Sequence, residues 1–155
     1  MSIEKVREYF KQFGMEDRVM ESEESSATVP LAAKALGVEE GRIAKTLSFH
    51  VNEDVVLVVL AGDVKIDNKK YKATFNTKAK MIGPDEVLPL VGHDIGGVCP
   101  FGVNEGVKVY MDESLKKYET VFPAAGSTNS MIELTIDDLY KYSKAIEWVD
   151  ISKEN

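Results

Sequence analysis

The stretch Ile43-Ala44-Lys45-Thr46-Leu47-Ser48-Phe49-His50-Val51-Asn52-Glu53-Asp54-Val55-Val56-Leu57-Val58-Val59-Leu60-Ala61 decides the fold class. Ile43–Phe49 and Val55–Ala61 read as two strands, and the polar trio Asn52-Glu53-Asp54 reads as the turn between them. The second strand is a continuous β-branched and leucine run, the pattern of a strand buried on both faces. In the first strand Ile43, Lys45, Leu47 and Phe49 share one parity. Lys45 is therefore expected on the apolar side, either snorkelling at the strand end or sending its ammonium into a pocket.

Around this pair the chain alternates irregularly between short helices and short strands. Ile3, Val6, Phe10 and Phe13 recur at helical spacing, giving a helix from about Ser2 to Phe13 that stops at Gly14. A short strand is expected over Arg18–Glu21. Thr28 as N-cap, Pro30 in the first turn and Gly37 as stop delimit a helix through Leu31–Leu36. Asp67 caps a helix from Asn68 to about Phe75. A strand over Ala79–Ile82 is followed by a helix from Gly83-Pro84-Asp85 towards Leu90. Further strands are expected over Val107–Met111, Thr120–Phe122, Met131–Leu134 and Trp148–Ile151. A helical turn covers Asp112–Lys117, and Thr135 with Asp138 opens a helix near Ile136–Ser143. With no linker or repeat, this order predicts one domain over residues 1–155. Its class is α+β: a mixed, partly barrel-like sheet flanked by short helices, not a doubly wound one.

The chain has 155 residues, a formal net charge of −7, 44% hydrophobic and 29% charged residues, and a single cysteine. These values suit an ordinary globular domain large enough for its own core. The lone cysteine excludes an intramolecular disulfide. The start Met1-Ser2-Ile3-Glu4-Lys5 lacks a signal-peptide profile and no apolar run has membrane-spanning length, so a reducing cytoplasm and no membrane are expected. The acidic balance argues against non-specific nucleic-acid binding. One segment opposes that balance: Lys65, Lys69, Lys70, Lys72, Lys78 and Lys80 stand against the single acid Asp67. Tyr71 and Phe75 are interleaved with them, either to stack on bases or to face the core.

The richest stretch for chemistry is Gly92-His93-Asp94-Ile95-Gly96-Gly97-Val98-Cys99-Pro100-Phe101-Gly102, with four of the eleven glycines and the only cysteine. Such a loop can aim backbone N–H groups at one point, as an oxyanion site requires, or can be a tight turn between core strands. No Gly-Lys-Ser/Thr follows it, and it does not match the dinucleotide-binding pattern. His50, His93 and Cys99 have no metal-ligand spacing, so neither a metal nor another cofactor is expected. A Cys99/His93 nucleophile–base pair and a small buried cysteine are both open.

Several motifs occur in a characteristic order. They are Ala32-Ala33-Lys34-Ala35-Leu36-Gly37-Val38, Arg42-Ile43-Ala44-Lys45-Thr46-Leu47, Ala61-Gly62-Asp63 with Ile66-Asp67, Gly96 to Gly102, and Ala125-Gly126-Ser127. Together they resemble the YbaK/ProX family of aminoacyl-tRNA editing domains over about Thr28–Tyr140. The family includes the insertion domain of bacterial prolyl-tRNA synthetase and free-standing relatives that hydrolyse mischarged tRNA in trans; this chain resembles the free-standing type.

The resemblance implies a deacylase acting on the ester of mischarged aminoacyl-tRNA, with tRNA-Pro carrying a small amino acid such as alanine or cysteine as the expected substrate and serine and threonine esters also open. Lys45 matches the family's essential lysine. Gly96, Gly97, Val98, Cys99 and Pro100 match its G-x-x-x-P loop, with Cys99 where a serine or similar small residue is common. Thr46, His93, Phe101, Gly126, Ser127 and Thr128 are expected to line the substrate pocket. Lys65, Lys69, Lys70 and Lys72 are expected to meet the tRNA. The partners implied are the aminoacyl-tRNA acceptor end and an aminoacyl-tRNA synthetase. A non-catalytic binding module and a Cys99-dependent hydrolase are the competing expectations.

Overall fold

The computed structural model describes residues 2–155; Met1 lies outside the described residues. Helix α1 (Ser2–Lys11) buries Ile3, Val6 and Phe10, and the chain turns at Gly14 with φ +70°. β1 (Val19–Glu21) leads to α2 (Val29–Leu36), where the Thr28 hydroxyl accepts from the Leu31 amide at 3.3 Å and Gly37 closes the helix at φ +69°. β2 (Ile43–Val51) and β3 (Asp54–Ala61) form the antiparallel hairpin, with Lys45 opposite Leu60. From Val56 to Ala61 β3 is buried on both faces.

A tight turn then gives β4 (Val64–Ile66) and α3 (Asn68–Phe75), capped by the Asp67 carboxylate, which accepts from the Lys69 and Lys70 amides at 3.0 and 3.1 Å. α4 (Pro84–Val91) precedes the glycine-rich loop. β5 (Lys108–Asp112), β6 (Thr120–Pro123), β7 (Ser130–Ile132), β8 (Leu134–Thr135), α5 (Ile136–Tyr142), β9 (Trp148–Val149) and β10 (Ser152–Glu154) complete the chain.

The main sheet runs β8-β6-β2-β3-β5-β9. β2 and β3 are antiparallel, whereas β6 on β2 and β5 on β3 are parallel. It curls into a half-barrel, and the small pairs β1–β7 and β4–β10 sit beside it. The fold is therefore α+β with a mixed, partly barrel-like sheet.

Three expected strands differ. Ala79–Ile82 makes only one bridge, Met81 to Phe49, flanked by His50 N–H to Lys80 carbonyl at 2.8 Å and Ile82 N–H to Ser48 carbonyl at 3.1 Å. Pro84 starts a helix directly after it, which cuts the pairing short. Met131–Leu134 divides between two partners: β7 pairs with β1 and β8 with β6. Glu133 between them turns its carboxylate to Thr120 and Arg42. Trp148–Ile151 is likewise divided, because the Ile151 amide donates to buried Asp112 Oδ1 at 2.8 Å instead of continuing a ladder.

Candidate active site

The first half of β2 lies along an open cleft of about 300 Å³. Lys45 and Thr46 face it from the strand, and Ile95, Gly96 and Val98 of the glycine-rich loop face it from the other side. Ile82, Val87 and Ala124 make the rest mostly apolar. Larger concavities exist, including one of about 410 Å³ behind Pro100 and Gly102. The 300 Å³ cleft has the stronger chemical case, since there a lysine and an unpaired hydroxyl converge on a backbone-rich loop. The Thr46 hydroxyl is buried and has no protein hydrogen-bond partner among the described residues.

Lys45 is half-buried and its Nζ donates to the Val64 carbonyl in β4. Burial pulls its pKa below the ordinary lysine value, and the neighbouring Asp63 carboxylate opposes that fall. A carbonyl takes one of the three ammonium N–H groups, leaving two donors.

Two loops, 92–102 and 124–130, pack backbone to backbone. Gly97 has no room for a side chain: a Cβ there would lie 2.6 Å from the Ser127 nitrogen and 2.7 Å from the Gly126 carbonyl carbon. Gly96 holds φ +86°, and a Cβ on it would meet Thr128 Cγ2 at 2.8 Å. Gly126 itself takes φ +95°. The Gly97 amide is already used in a turn, donating to the Asp94 carbonyl at 3.1 Å. Among the described residues none accepts from the Val98 amide, and Val98 lines the cleft, so this amide remains as a donor from the loop.

Ser127 and Thr128 brace this wall and do not line the cleft. The Ser127 hydroxyl is bonded to Ser130 Oγ at 2.6 Å and to Asn129 Oδ1 at 3.0 Å. The Thr128 carbonyl accepts from the Ser26 amide at 2.6 Å, which ties down the segment before α2.

His93, Cys99 and Phe101 point the other way, into the core, and none is exposed. Their sequence-based assignment to substrate contact meets solid packing instead: the Phe101 ring stacks edge-on to Phe10 at 4.8 Å. His93 Nε2 lies 2.6 Å from the Phe101 carbonyl, which requires the hydrogen on Nε2 and leaves Nδ1 unpaired. Burial holds the imidazole below its ordinary pKa. Cys99 Sγ does sit 3.5 Å from His93 Nε2, but burial pushes the thiol up to about 12. A thiolate is therefore scarce at neutral pH, and no cleft opens onto it. Pro100 is buried in the loop and faces the concavity behind it.

The lysine segment separates into two groups. Lys70 is engaged, with Nζ 3.1 Å from Asp150 Oδ1 and 2.9 Å from the Ser152 carbonyl, and Lys65 lies on β4 opposite Lys153. Lys69 and Lys72 instead converge with Lys78 on a concavity of about 470 Å³. Residues 78–82 lead from there into the cleft, where Met81 and Ile82 form part of the wall. Tyr71 and Phe75 face inward: the fully buried Tyr71 ring lies 5.0 Å from Phe49 and 4.8 Å from Phe75, which removes them as stacking platforms for bases. Sequence reasoning placed Lys78 only within the lysine segment and missed Ile82, Val87 and Asp63 as site residues. Of these three only Asp63 carried a signal, as part of the Ala61-Gly62-Asp63 motif.

Among the described residues no group of three His, Cys, Asp or Glu side chains could hold a metal ion, and no helix is long and apolar enough to cross a membrane.

The model of the aminoacyl-tRNA editing domain matches residues 23–142. An uncharacterised protein, YwhH of Bacillus subtilis, is 53% identical over 155 residues, covering 99% of each chain. EbsC of Enterococcus faecalis, a candidate Cys-tRNA(Pro)/Cys-tRNA(Cys) deacylase, is 34% identical over 66% of this chain and 63% of its own. The crystal structure of a candidate trans-editing enzyme for prolyl tRNA synthetase superposes with a TM-score of 0.88 at 29% identity, covering 98% of this chain and 97% of that one.

Proposed function

Because this chain belongs to the aminoacyl-tRNA editing domain family, we propose that it hydrolyses, in trans, the ester joining a wrong amino acid to the terminal ribose of a tRNA. The proposed substrate is tRNA-Pro carrying a small amino acid such as alanine or cysteine, met in the cytoplasm after release from a synthetase. The observation that carries this reading is the opposition of Lys45 to Gly96 and Val98 across one small, mostly apolar cleft.

An aminoacyl ester is already activated, so catalysis requires positioning of water and stabilisation of the tetrahedral oxyanion. The Val98 amide supplies a donor for that oxygen, while Gly97 and Pro100 hold the loop in shape. The two free N–H groups of Lys45 bind the terminal phosphate–ribose region and keep the ester against the loop. Thr46 contributes the unpaired hydroxyl to a substrate polar group. A cleft of this size and polarity suits a small side chain, although one methylene is worth only about 1–3 kcal/mol in such discrimination. Lys69, Lys72 and Lys78 are the proposed phosphate contacts for the acceptor arm; Lys70 is committed to Asp150.

The test is deacylation of tRNAs charged with alanine, cysteine, serine, threonine and proline, by wild type and Lys45→Ala. Turnover of one mischarged species, reduced about 10²–10³-fold in the folded variant, is the expected result. In the same assay, neutralising Lys69, Lys72 and Lys78 should flatten the salt dependence of binding by about one unit of log–log slope per contact. tRNA binding without turnover across the panel would replace this reading with a non-catalytic binding module.

A further inference from the structure

The Lys45 ammonium is held by a short turn that no chemistry proposed above has used. β3 ends at Ala61, and Gly62-Asp63 reverses the chain into β4, whose first carbonyl, Val64, accepts from Lys45 Nζ. This turn is seated on the start of β2: a Cβ on Gly62 would lie 2.3 Å from the Glu40 carbonyl oxygen and 2.9 Å from that of Ile43. The residue before Val64 is Asp63, whose carboxylate acts on the Lys45 charge without a direct ion pair. Its carboxylate is held in turn by Tyr118, whose hydroxyl donates to Asp63 Oδ2 at 3.5 Å. Both groups lie over Gly41, where a Cβ would come 1.9 Å from the Tyr118 oxygen and 2.8 Å from Asp63 Oδ2. Gly41 is thus a glycine because a hydroxyl and a carboxylate occupy the space of its side chain.

We infer that Asp63, fixed by Tyr118 above Gly41 and adjacent in the chain to the carbonyl that holds Lys45 Nζ, is the positioning residue whose negative charge helps aim the Lys45 ammonium into the cleft. It acts through Lys45 and touches no substrate. Burial opposes the charge on Lys45, and the Asp63 carboxylate works against that effect. Tyr118 serves as donor because burial, Asp63 and Glu39 all raise its pKa, so its hydroxyl keeps its proton. The other charged groups on this side are Glu39 near Tyr118, Lys117, with Nζ 5.9 Å from the Tyr118 ring, and Lys70, Glu113, Asp150, Lys153 and Glu154, which share with Asp63 the concavity behind the turn. Lys70 is bonded to Asp150 and Glu113 to Lys116, and Asp63 is the carboxylate whose charge acts on Lys45.

The inference rests on reading Lys45 as the residue that holds the substrate, so the experiment has two independent readouts. The first is NMR titration of the Lys45 ammonium in wild type, Asp63→Asn and Tyr118→Phe, which needs no activity. Asp63→Asn keeps shape and removes charge. The Lys45 titration should fall by about one pH unit, and by less in Tyr118→Phe. The second is the pH profile of deacylation: the alkaline limb, where Lys45 loses its proton, should move to lower pH in Asp63→Asn by the same amount. A Lys45 titration unmoved in a folded Asp63→Asn protein overturns the inference, whatever the activity. A shifted titration in a protein that deacylates nothing upholds the Asp63–Lys45 coupling and overturns the functional reading instead.

Discussion

The two faces of the 92–102 loop make opposite use of their residues. The inward face holds His93, Cys99 and Phe101, the side chains that residue type alone marks as reactive or ligand-binding, and all three are buried without access to the cleft. The outward face offers Gly96, Val98 and Ile95, which have no reactive side chains, yet it lies across from Lys45. The imidazole and thiol serve the packing that holds the loop, and the loop's main chain faces the substrate. A thiol at 3.5 Å from an imidazole is therefore no evidence of a nucleophile when burial keeps both groups neutral.

The largest expected effect lies on the seam behind the outward face. Gly97→Ala places a methyl against the Gly126–Ser127 backbone, and no side chain can rotate away to relieve it. The loops must part, costing about 1–3 kcal/mol of stability. Activity should fall at least about 10²-fold, since ångström displacements of positioning groups have that effect. Thermal unfolding with deacylation kinetics checks both, and wild-type turnover would dissolve the link between this seam and the cleft.

On the inward face the expected effect is one of stability. Cys99→Ala should destabilise the fold by about 1–2 kcal/mol through lost packing and leave kcat/KM within about twofold. A collapse of turnover in the folded variant would return Cys99 to the chemistry and erase the contrast between the faces.

The smallest effect concerns His93. Its folded pKa is lowered from the ordinary 6.5, so the unfolded chain binds the proton more readily. Stability is fully present above 6.5 and declines as pH falls through that value towards the folded pKa, with a slope of at most about 1.4 kcal/mol per pH unit. His93→Gln should flatten that part of the stability–pH curve; an unchanged curve would show that other groups set it.

Local chemistry made much of this fold legible. Thr28, Gly37, Asp67 and Thr135 perform the capping and stop roles expected of them, because a cap is an interaction between residues two or three apart. The β2–β3 hairpin was equally legible from its alternation and turn. Pairings between distant segments were not: β4 meets β10 across 86 residues, and both strands are too short for a periodic signal. The same limit split Met131–Leu134 and Trp148–Ile151, whose interruptions come from Arg42, Thr120 and Asp112 elsewhere in the chain.

By itself the sequence determined the class of the fold, the helix boundaries, the anomalous lysine on the apolar side of a strand, and the loop able to face it. These follow from backbone propensity and side-chain periodicity, which act over a few residues. Only the tertiary structure decided which face of that loop meets the cleft, which lysines stand free, and that a turn carrying Asp63 lies against Lys45. Those outcomes depend on burial, which lowers the pKa of Lys45, keeps Cys99 and His93 neutral, and is a property of the packed chain alone.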